Sequence, residues 1–368
     1  MARRFFRPVW AEVDLGALQA NLRRFRSKMP RGTKILFVVK ANAYGHGAAA
    51  CAKAAERSRL VDALGVSSVE EGMSLRSAGV RLPILILGSL YPFESFLAAA
   101  QYRLTPTVAS LESARRLWEA ARRLGRRVGC HLKIETGMGR IGMSPAAAQE
   151  VAEFLRERPE VWVEGIYTHF SSADSDPAFT RRQNRIFRGV VETVGRGGLK
   201  TGLRHAANSA AALRHPEARW DMVRPGLAIY GLCPGFLPVL SLKTKVVFLK
   251  TLPKGSPISY GAAYRTKRRA RIATIPVGYA DGYSRALSGK ASALLNGRRC
   301  PVVGKVTMDM SMLDVTEAPS ARVGDDVVLL GGVGRRRITA SEMAVWGGTI
   351  PYEVSTAISA RVPRVYLS

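Results

Sequence analysis

Between residues 34 and 231, short apolar runs return at near-regular intervals with helix-like segments separating most of them; no other feature narrows the possible folds as much. The runs are KILFVVK, DALGVSSV, LPILILGSL, RLTPTVAS, CHLKIETG, VEGIYTHF, LRHAANS and MVRPGLAIYG. The separating segments include AAACAKAAERS, EEGMSLRSAG, FESFLAAAQ, LESARRLWEAARRLG, PAAAQEVAEFLRER and FTRRQNRIFRGVVETV. Eight strand candidates with interleaved helices over about 200 residues predict an α/β architecture, an N-terminal (β/α)8 barrel. An open doubly wound sheet shares much of this pattern. No GxGxxG follows the first run, which weighs against its dinucleotide-binding form.

After residue 237 the texture changes. LKTKVVFLKTL, ARIATIPVG, SALLNG, CPVVGKVTMDMSMLDV and DDVVLLGG read as strands joined by Gly- and Pro-containing turns, with Asn-Gly in NGRRCPVVG as a hairpin signal. The expected division is a barrel over residues 8–237 and a C-terminal β-rich domain over 238–368, with residues 1–14 packing against the latter. The start, MARRFFRPVWAEVDL, is basic and lacks the apolar core of a signal peptide. No run approaches the ~18 apolar residues of a membrane span. Cys51, Cys130, Cys233 and Cys300 are scattered, with no CxxC pair. That spacing argues against a disulfide scaffold or a metal site and fits a cytoplasmic protein.

The charge is the unusual quantity. There are 56 basic and 28 acidic residues, a formal net charge of +28. Nucleic acid is the obvious partner to consider. The basic residues are dispersed as pairs, however, such as Arg23–Arg24, Arg115–Arg116, Arg122–Arg123, Arg181–Arg182 and Arg298–Arg299. The densest clusters, RTKRRAR (265–271) and GRRRIT (334–339), are short. A general positive field is expected, and no specific nucleic-acid or membrane partner.

Barrel enzymes carry their reactive groups at the carboxyl ends of the strands. Lys40 stands at the end of the first run, before the small polar turn ANAYGHG. It either marks where a strand leaves the core or is presented at a pocket. Lys133 and Arg140 bracket IETGMG, His169 ends the sixth run, and Asn208 and Ser209 end the seventh. Arg224, Gly226 and Leu227 lie in the last. Each has a plain structural explanation: Lys133 can pair with Glu135, and His169 can be a satisfied core histidine. Together they describe a rim with a nucleophilic amine, small residues with free backbone N–H groups, and several cations. Such a rim suits an anionic cofactor and a carboxylate substrate.

The motifs VVKANAYGHG, KIETGMGRIG, THFSSAD, HAANSAA, RPGLAIYG, ISYGAAY, IPVGYADGY, VGKVTMDM and PYEVSTAISARVPR occur in that order. In these motifs, from RPVWAEVDLGAL to the final RVPR, the chain resembles the alanine racemases, fold-type-III isomerases that use pyridoxal 5'-phosphate. The resemblance implies interconversion of L- and D-alanine, D-alanine supply for peptidoglycan, and a homodimer with shared active sites. A serine or broad-specificity racemase is the nearest alternative. A non-catalytic pyridoxal-phosphate carrier on a similar barrel would lack ISYGAAY and the β domain, both present here.

By this resemblance Lys40 carries the cofactor covalently and is one acid–base group. A usable neutral amine is what burial and nearby cations favour. Tyr260 is the second, since racemisation needs proton exchange on both faces of Cα. Its hydroxyl, with an ordinary pKa of ~10, needs help from its surroundings; His169 and Arg224 resemble the family's relay behind it. Tyr44, Ser209, Gly226, Leu227 and Tyr352 would hold the phosphate end, with His169 and Asn208 also among the cofactor-binding residues. Arg224 would face the pyridine nitrogen, and Arg140 and Met308 the substrate carboxylate. Lys133 matches a lysine that the family often carries carbamylated. Glu135, where aspartate is common, could instead neutralise it directly. Asp174, Tyr279, Arg285 and Lys305 resemble an access corridor, with Lys305 in place of a common arginine. No metal is implied.

Overall fold

The structure is a computed structural model that describes residues 6–333 and 336–368. The first five residues, expected to pack with the C-terminal domain, and Gly334–Arg335 of the GRRRIT cluster lie outside the described residues. The chain forms two compact units. One contains Gln19–Ala43 and Ala48–Ile229; the other gathers Tyr44–Gly47 and Tyr230–Ser368 with the N-terminal segment through Leu18.

With strands numbered in chain order, β1 (Val9–Asp14) belongs to the second unit. The first unit holds β2 (Lys34–Val38), β3 (Ala63–Val66), β4 (Ile84–Ile86), β5 (Thr107–Val108), β6 (Val128–Lys133), β7 (Val161–Tyr167), β8 (Leu203–Asn208) and β9 (Met222–Arg224). They form one eight-stranded parallel sheet in the order β4-β3-β2-β9-β8-β7-β6-β5. A parallel bridge between Leu85 and Thr105 joins its two ends into a barrel. Parallel strands need a crossover between neighbours, and helices supply it. All six residues of β6 are buried, His131 and Lys133 among them.

Local signals set the element ends. Helix Leu111–Leu124 is capped by Ser110, whose hydroxyl accepts from Ser113 N, and it ends on Gly125 in the left-handed region, φ 58°. Ala114, Leu117, Ala120 and Ala121 form its buried stripe. Arg115, Arg116, Arg122 and Arg123 are exposed on the other side, as are the remaining arginine pairs. Several strands are shorter than their apolar runs. β9 stops at Arg224 because Pro225 has no N–H for the ladder, and Ser68 of DALGVSSV caps helix Val69–Ser77 instead of extending β3.

In the second unit a mostly antiparallel sheet runs through Phe248–Leu252, Ala270–Ile275, Ser311–Asp314, Arg298–Val303, Ser292–Leu295, Asp326–Val333, Leu240–Lys245, β1 and Arg364–Leu367. β1 pairs antiparallel with Leu240–Lys245 and parallel with Arg364–Leu367. The Asn-Gly hairpin forms, with Asn296 and Gly297 both at positive φ between paired Leu295 and Arg298. Buried Asp281 is held by two 2.6 Å bonds from Arg7. Helices Ala340–Gly347 and Pro351–Thr356 follow the strands, and the second carries Tyr352.

Candidate active site

Lys40 lies two residues past the end of β2, where the backbone changes hand. Ala41, Asn42 and Ala43 have φ of 51–54° and ψ of 46–52°, and Tyr44 continues at φ 53°. A left-handed conformation costs L-residues about 1–2 kcal/mol each, so four in succession require compensation. Ala43 N donates to Val39 O at 2.8 Å, Ala48 N to Asn42 Oδ1 at 2.8 Å, and Ala41 N to Glu71 Oε1 at 2.7 Å. Strain of this kind concentrates where a side chain must be aimed.

Around Lys40 the barrel rim is cationic. Burial, then Arg140, lowers its pKa, with Glu71 opposing. Lys133, buried, is pushed down to about 7 by burial and by Arg224, Arg140 and Lys40. Its ammonium sits 4.8 Å from the centre of the Tyr167 ring. Glu135 opposes this lowering through its charge, with its oxygens bonded elsewhere. Its carboxylate accepts four backbone N–H groups, from Gly137 at 2.5 Å, Met138 at 2.6 Å, Gly139 at 2.9 Å and Arg140 at 3.3 Å. Those bonds hold its pKa below the usual range despite burial. Glu135 therefore shapes the loop that carries Arg140.

Arg224, buried, anchors a polar series through the barrel core. Its Nη2 donates to Thr168 O at 2.7 Å and Ala206 O at 2.9 Å, and faces His169 Nδ1 at 3.3 Å. Its Nη1 meets His205 Nδ1 at 2.8 Å, and His205 Nε2 meets His131 Nδ1 at 2.8 Å. Arginine only donates, so His205 accepts at Nδ1, carries its proton on Nε2, and passes the same direction to His131. Arg224 Nη2 has two protons for three neighbours, so its longer contact to His169 Nδ1 is a shared one, in which Nδ1 accepts and Nε2 carries the proton. Tyr167 stacks on His205 at 4.7 Å. Gly165 makes room: a Cβ there would lie 2.5 Å from His131 Cε1.

The three histidines are kept neutral. Burial, then Arg224, lowers His131 to about 3 and holds His169 and His205 well below their ordinary value. Unfolded, they protonate below about pH 6.5. The stability they contribute is complete above that pH and is lost as pH falls toward the folded values. Denaturant titrations should show stability dropping by roughly 1.4 kcal/mol per pH unit for each proton taken up. His131→Asn, whose Oδ1 can still accept from His205, should flatten that slope. An unchanged slope would remove His131 from the set.

The residues expected at a phosphate fall into two groups. In the barrel unit, Asn208 Oδ1 caps helix Ser209–Arg214 by accepting from Ala211 N at 2.9 Å. Ser209 Oγ accepts from Gly226 N at 3.1 Å and Ala228 N at 3.3 Å, which uses its lone pairs and leaves its proton to donate. Leu227 lies between those two amides. In the other unit, burial and then Tyr352 push the Tyr44 phenol up to about 12, so it is a neutral donor. Gly45, at φ +84°, lets this segment approach helix Pro351–Thr356; a Cβ would lie 2.1 Å from Ser355 O.

The second unit also brings most of the remaining candidates together. Ser259 Oγ donates to Lys305 O at 2.8 Å, beside Tyr260. Val306 N donates to Ser288 Oγ at 2.9 Å, next to the turn of Arg285. Tyr279 N bonds Thr307 O at 3.0 Å and Ala280 N bonds Met308 O at 3.1 Å. Tyr260, Tyr279, Arg285, Lys305 and Met308 thus share one edge, where Tyr260 is 71% and Met308 53% exposed. Asp174 stands apart in the barrel unit, where its carbonyl accepts from Arg214.

His131, His205, Tyr167 and Glu71 were not singled out from the sequence. His131 and Lys133 share strand parity, two residues apart, so period two places them on one face. Nothing local links His205 to them. Among the described residues no group of three or more His, Cys, Asp or Glu is placed to hold a metal, and no helix is long and apolar enough to cross a membrane.

Residues 13–234 match the family described as alanine racemase, N-terminal domain, and residues 239–366 the alanine racemase C-terminal domain. The chain is 46% identical to an alanine racemase of Symbiobacterium thermophilum, covering 98% of this chain and 97% of that protein. It is 43% identical to one from Desulfovibrio desulfuricans, covering 99% of each. Among solved structures, an alanine racemase of Clostridium difficile 630 superposes with a TM-score of 0.93 at 38% identity, covering 99% of this chain and 97% of that one. The alanine racemase of Bacillus anthracis with bound L-Ala-P gives 0.93 at 36% identity, covering 99% and 96%.

Proposed function

The chain belongs to the alanine racemase family, and from that premise we propose that it interconverts L- and D-alanine with pyridoxal 5'-phosphate, using Lys40 and Tyr260 as its two acid–base groups. The observation that carries the reading is Lys40 itself. Its amine is aimed by a strained left-handed turn and biased toward the neutral form by burial and by Arg140.

The residues fit the cofactor. Ser209 offers a hydroxyl proton beside Gly226 and Leu227, Tyr44 and Tyr352 offer phenols, and Arg224 offers a donor that keeps its proton. When bound, pyridoxal phosphate takes up the substrate's amino group and acidifies its Cα–H. Arg224 would meet the ring nitrogen without protonating it, since its pKa, lowered to about 10 by burial, still leaves it charged. A weaker electron sink favours return of the proton to Cα.

Lys40 takes the Cα proton of D-alanine and supplies it in the reverse direction. Tyr260 does the same on the L face, with the His169 Nε2–H available to stabilise a charged phenol oxygen. Arg140 and the Met308 amide hold the substrate carboxylate, and Asp174, Tyr279, Arg285 and Lys305 line the access corridor. Lys133, near its neutral form, is set up to react with carbon dioxide, and the carbamate's negative charge would hold Arg140. The exposure of Tyr260 and Met308 supports a homodimer in which each copy completes the other's site. The product supplies peptidoglycan synthesis in the cytoplasm.

Circular dichroism tests this. The cofactor-loaded protein should drive L-alanine and D-alanine to the same racemic end point and act more slowly on L-serine. Equal rates on both amino acids would favour a broad-specificity enzyme, and no change in either would reject a racemase. In the same assay, stripping dissolved carbon dioxide should lower the rate and bicarbonate should restore it. A rate indifferent to bicarbonate would remove carbamylation from Lys133.

A further inference from the structure

Ser68 and Glu71 spell the S-x-x-E of a capping box, in which the glutamate returns to the amide of its own cap residue. Ser68 does its part, its Oγ accepting from Glu71 N at 3.4 Å. Glu71 does something else. Its Oε2 accepts from Ser67 N at 2.7 Å, just past the end of β3, and its Oε1 accepts from Ala41 N at 2.7 Å, just past Lys40. One carboxylate thus ties the ends of two neighbouring barrel strands together, at the residue where the backbone turns left-handed. Two oxygens face two donors. An amide could satisfy only one of them and would turn its own N–H groups toward the other.

We propose that Glu71 is a positioning residue for Lys40, holding the strained turn against the end of β3. The proposal rests on the reading of Lys40 as an acid–base group. The first half of the turn lacks the side-chain packing that ordinarily enforces strained backbone: Ala41 and Asn42 are exposed, whereas Ala43 is buried and the Tyr44 ring lies 5.0 Å from that of Tyr230. Hydrogen bonds therefore carry the restraint at the Ala41–Asn42 end, and the Glu71 bond is charge-assisted. Arg140 acts on Lys40 and favours its neutral form, and Lys40 in turn acts on Lys133 and His169. Glu71 opposes Arg140.

The test compares Glu71→Gln with Ser68→Ala in the cofactor-loaded, full-length protein. Ser68→Ala removes the cap of the same helix and serves as the structural control. In Glu71→Gln, hydrogen–deuterium exchange of the peptide spanning residues 41–44 should accelerate about tenfold or more. Turnover of D-alanine should fall about 10- to 100-fold through misplacement of the amine. The acid limb of kcat for D-alanine, which reports groups in the substrate complex, should move to lower pH because a charge that favours protonated Lys40 is gone. Ser68→Ala should lose thermal stability and move neither the exchange at 41–44 nor the acid limb. If Glu71→Gln fails to fold, Glu71→Asp, one methylene too short to span both amides, should show the faster exchange with the limb in place. Wild-type exchange at 41–44 in a folded Glu71 variant, or an equal effect from Ser68→Ala, overturns the proposal. Exchange requires no turnover, so its result stands even if cofactor trapping assigns the chemistry to another lysine.

Discussion

Borohydride reduction of the pyridoxal-phosphate-loaded protein is expected to fix the cofactor on a single peptide, the one containing Lys40. Lys40→Ala is expected to lower racemisation by at least about a thousandfold, since one residue supplies both covalent attachment and a proton. Two other buried or half-buried cations stand nearby, and only one competes as an amine. Lys133 is pushed down to about 7 and is chemically able to react with an aldehyde. Geometry separates the two. Lys40 follows the end of β2 and directly precedes four residues of left-handed backbone, whereas Lys133 is the last residue of β6, buried against the Tyr167 ring. Peptide mapping after reduction decides the matter. A label on the peptide of Lys133 would overturn the assignment of the whole rim.

Tyr260→Phe should lower L-alanine turnover by about 10²- to 10⁴-fold, the usual worth of a positioned acid–base group. It should leave the cofactor bound, because only a hydroxyl is removed. Solvent deuterium should still enter Cα of D-alanine, since Lys40 remains. Wild-type exchange from both enantiomers would show that Tyr260 is not the second base. The same variant tests whether the site is shared. Lys40→Ala and Tyr260→Phe chains are each inactive, but a mixed dimer with crossed sites has one site carrying both lesions and one carrying neither. At random mixing half of the dimers are mixed and half of their sites intact, so about a quarter of wild-type activity should return. No recovery despite measured subunit exchange would mean that each chain completes its own site.

Much of the fold was legible because burial is periodic. Eight apolar runs with helix signals between them left few arrangements other than a closed parallel barrel, and the Asn-Gly hairpin announced itself through two residues at positive φ. Strand lengths were overestimated, because apolar runs such as MVRPGLAIYG and DALGVSSV continue past the residues that pair. The basic surface was legible as well: arginine pairs at helical spacing beside apolar stripes remain on exposed faces.

By itself the sequence determined which residues could do chemistry and which elements would carry them, since hydrophobic period and motif order are properties of neighbours along the chain. Lys40, His169 and Ser209 were marked by falling at a run's end, and Lys133 and Arg224 by lying within one. What the tertiary structure alone decided is how those groups act on one another. Glu135 turned out to accept four backbone amides, so it meets Lys133 through its charge and not through a direct ion pair. His131 and His205, 74 residues apart, became one donor series behind Arg224, with a glycine on β7 leaving the space for it. Glu71, which spells a helix cap, instead holds the turn of Lys40. Charge coupling and hydrogen-bond direction depend on distances of a few ångströms between strands far apart in sequence, and only the closed barrel sets those distances.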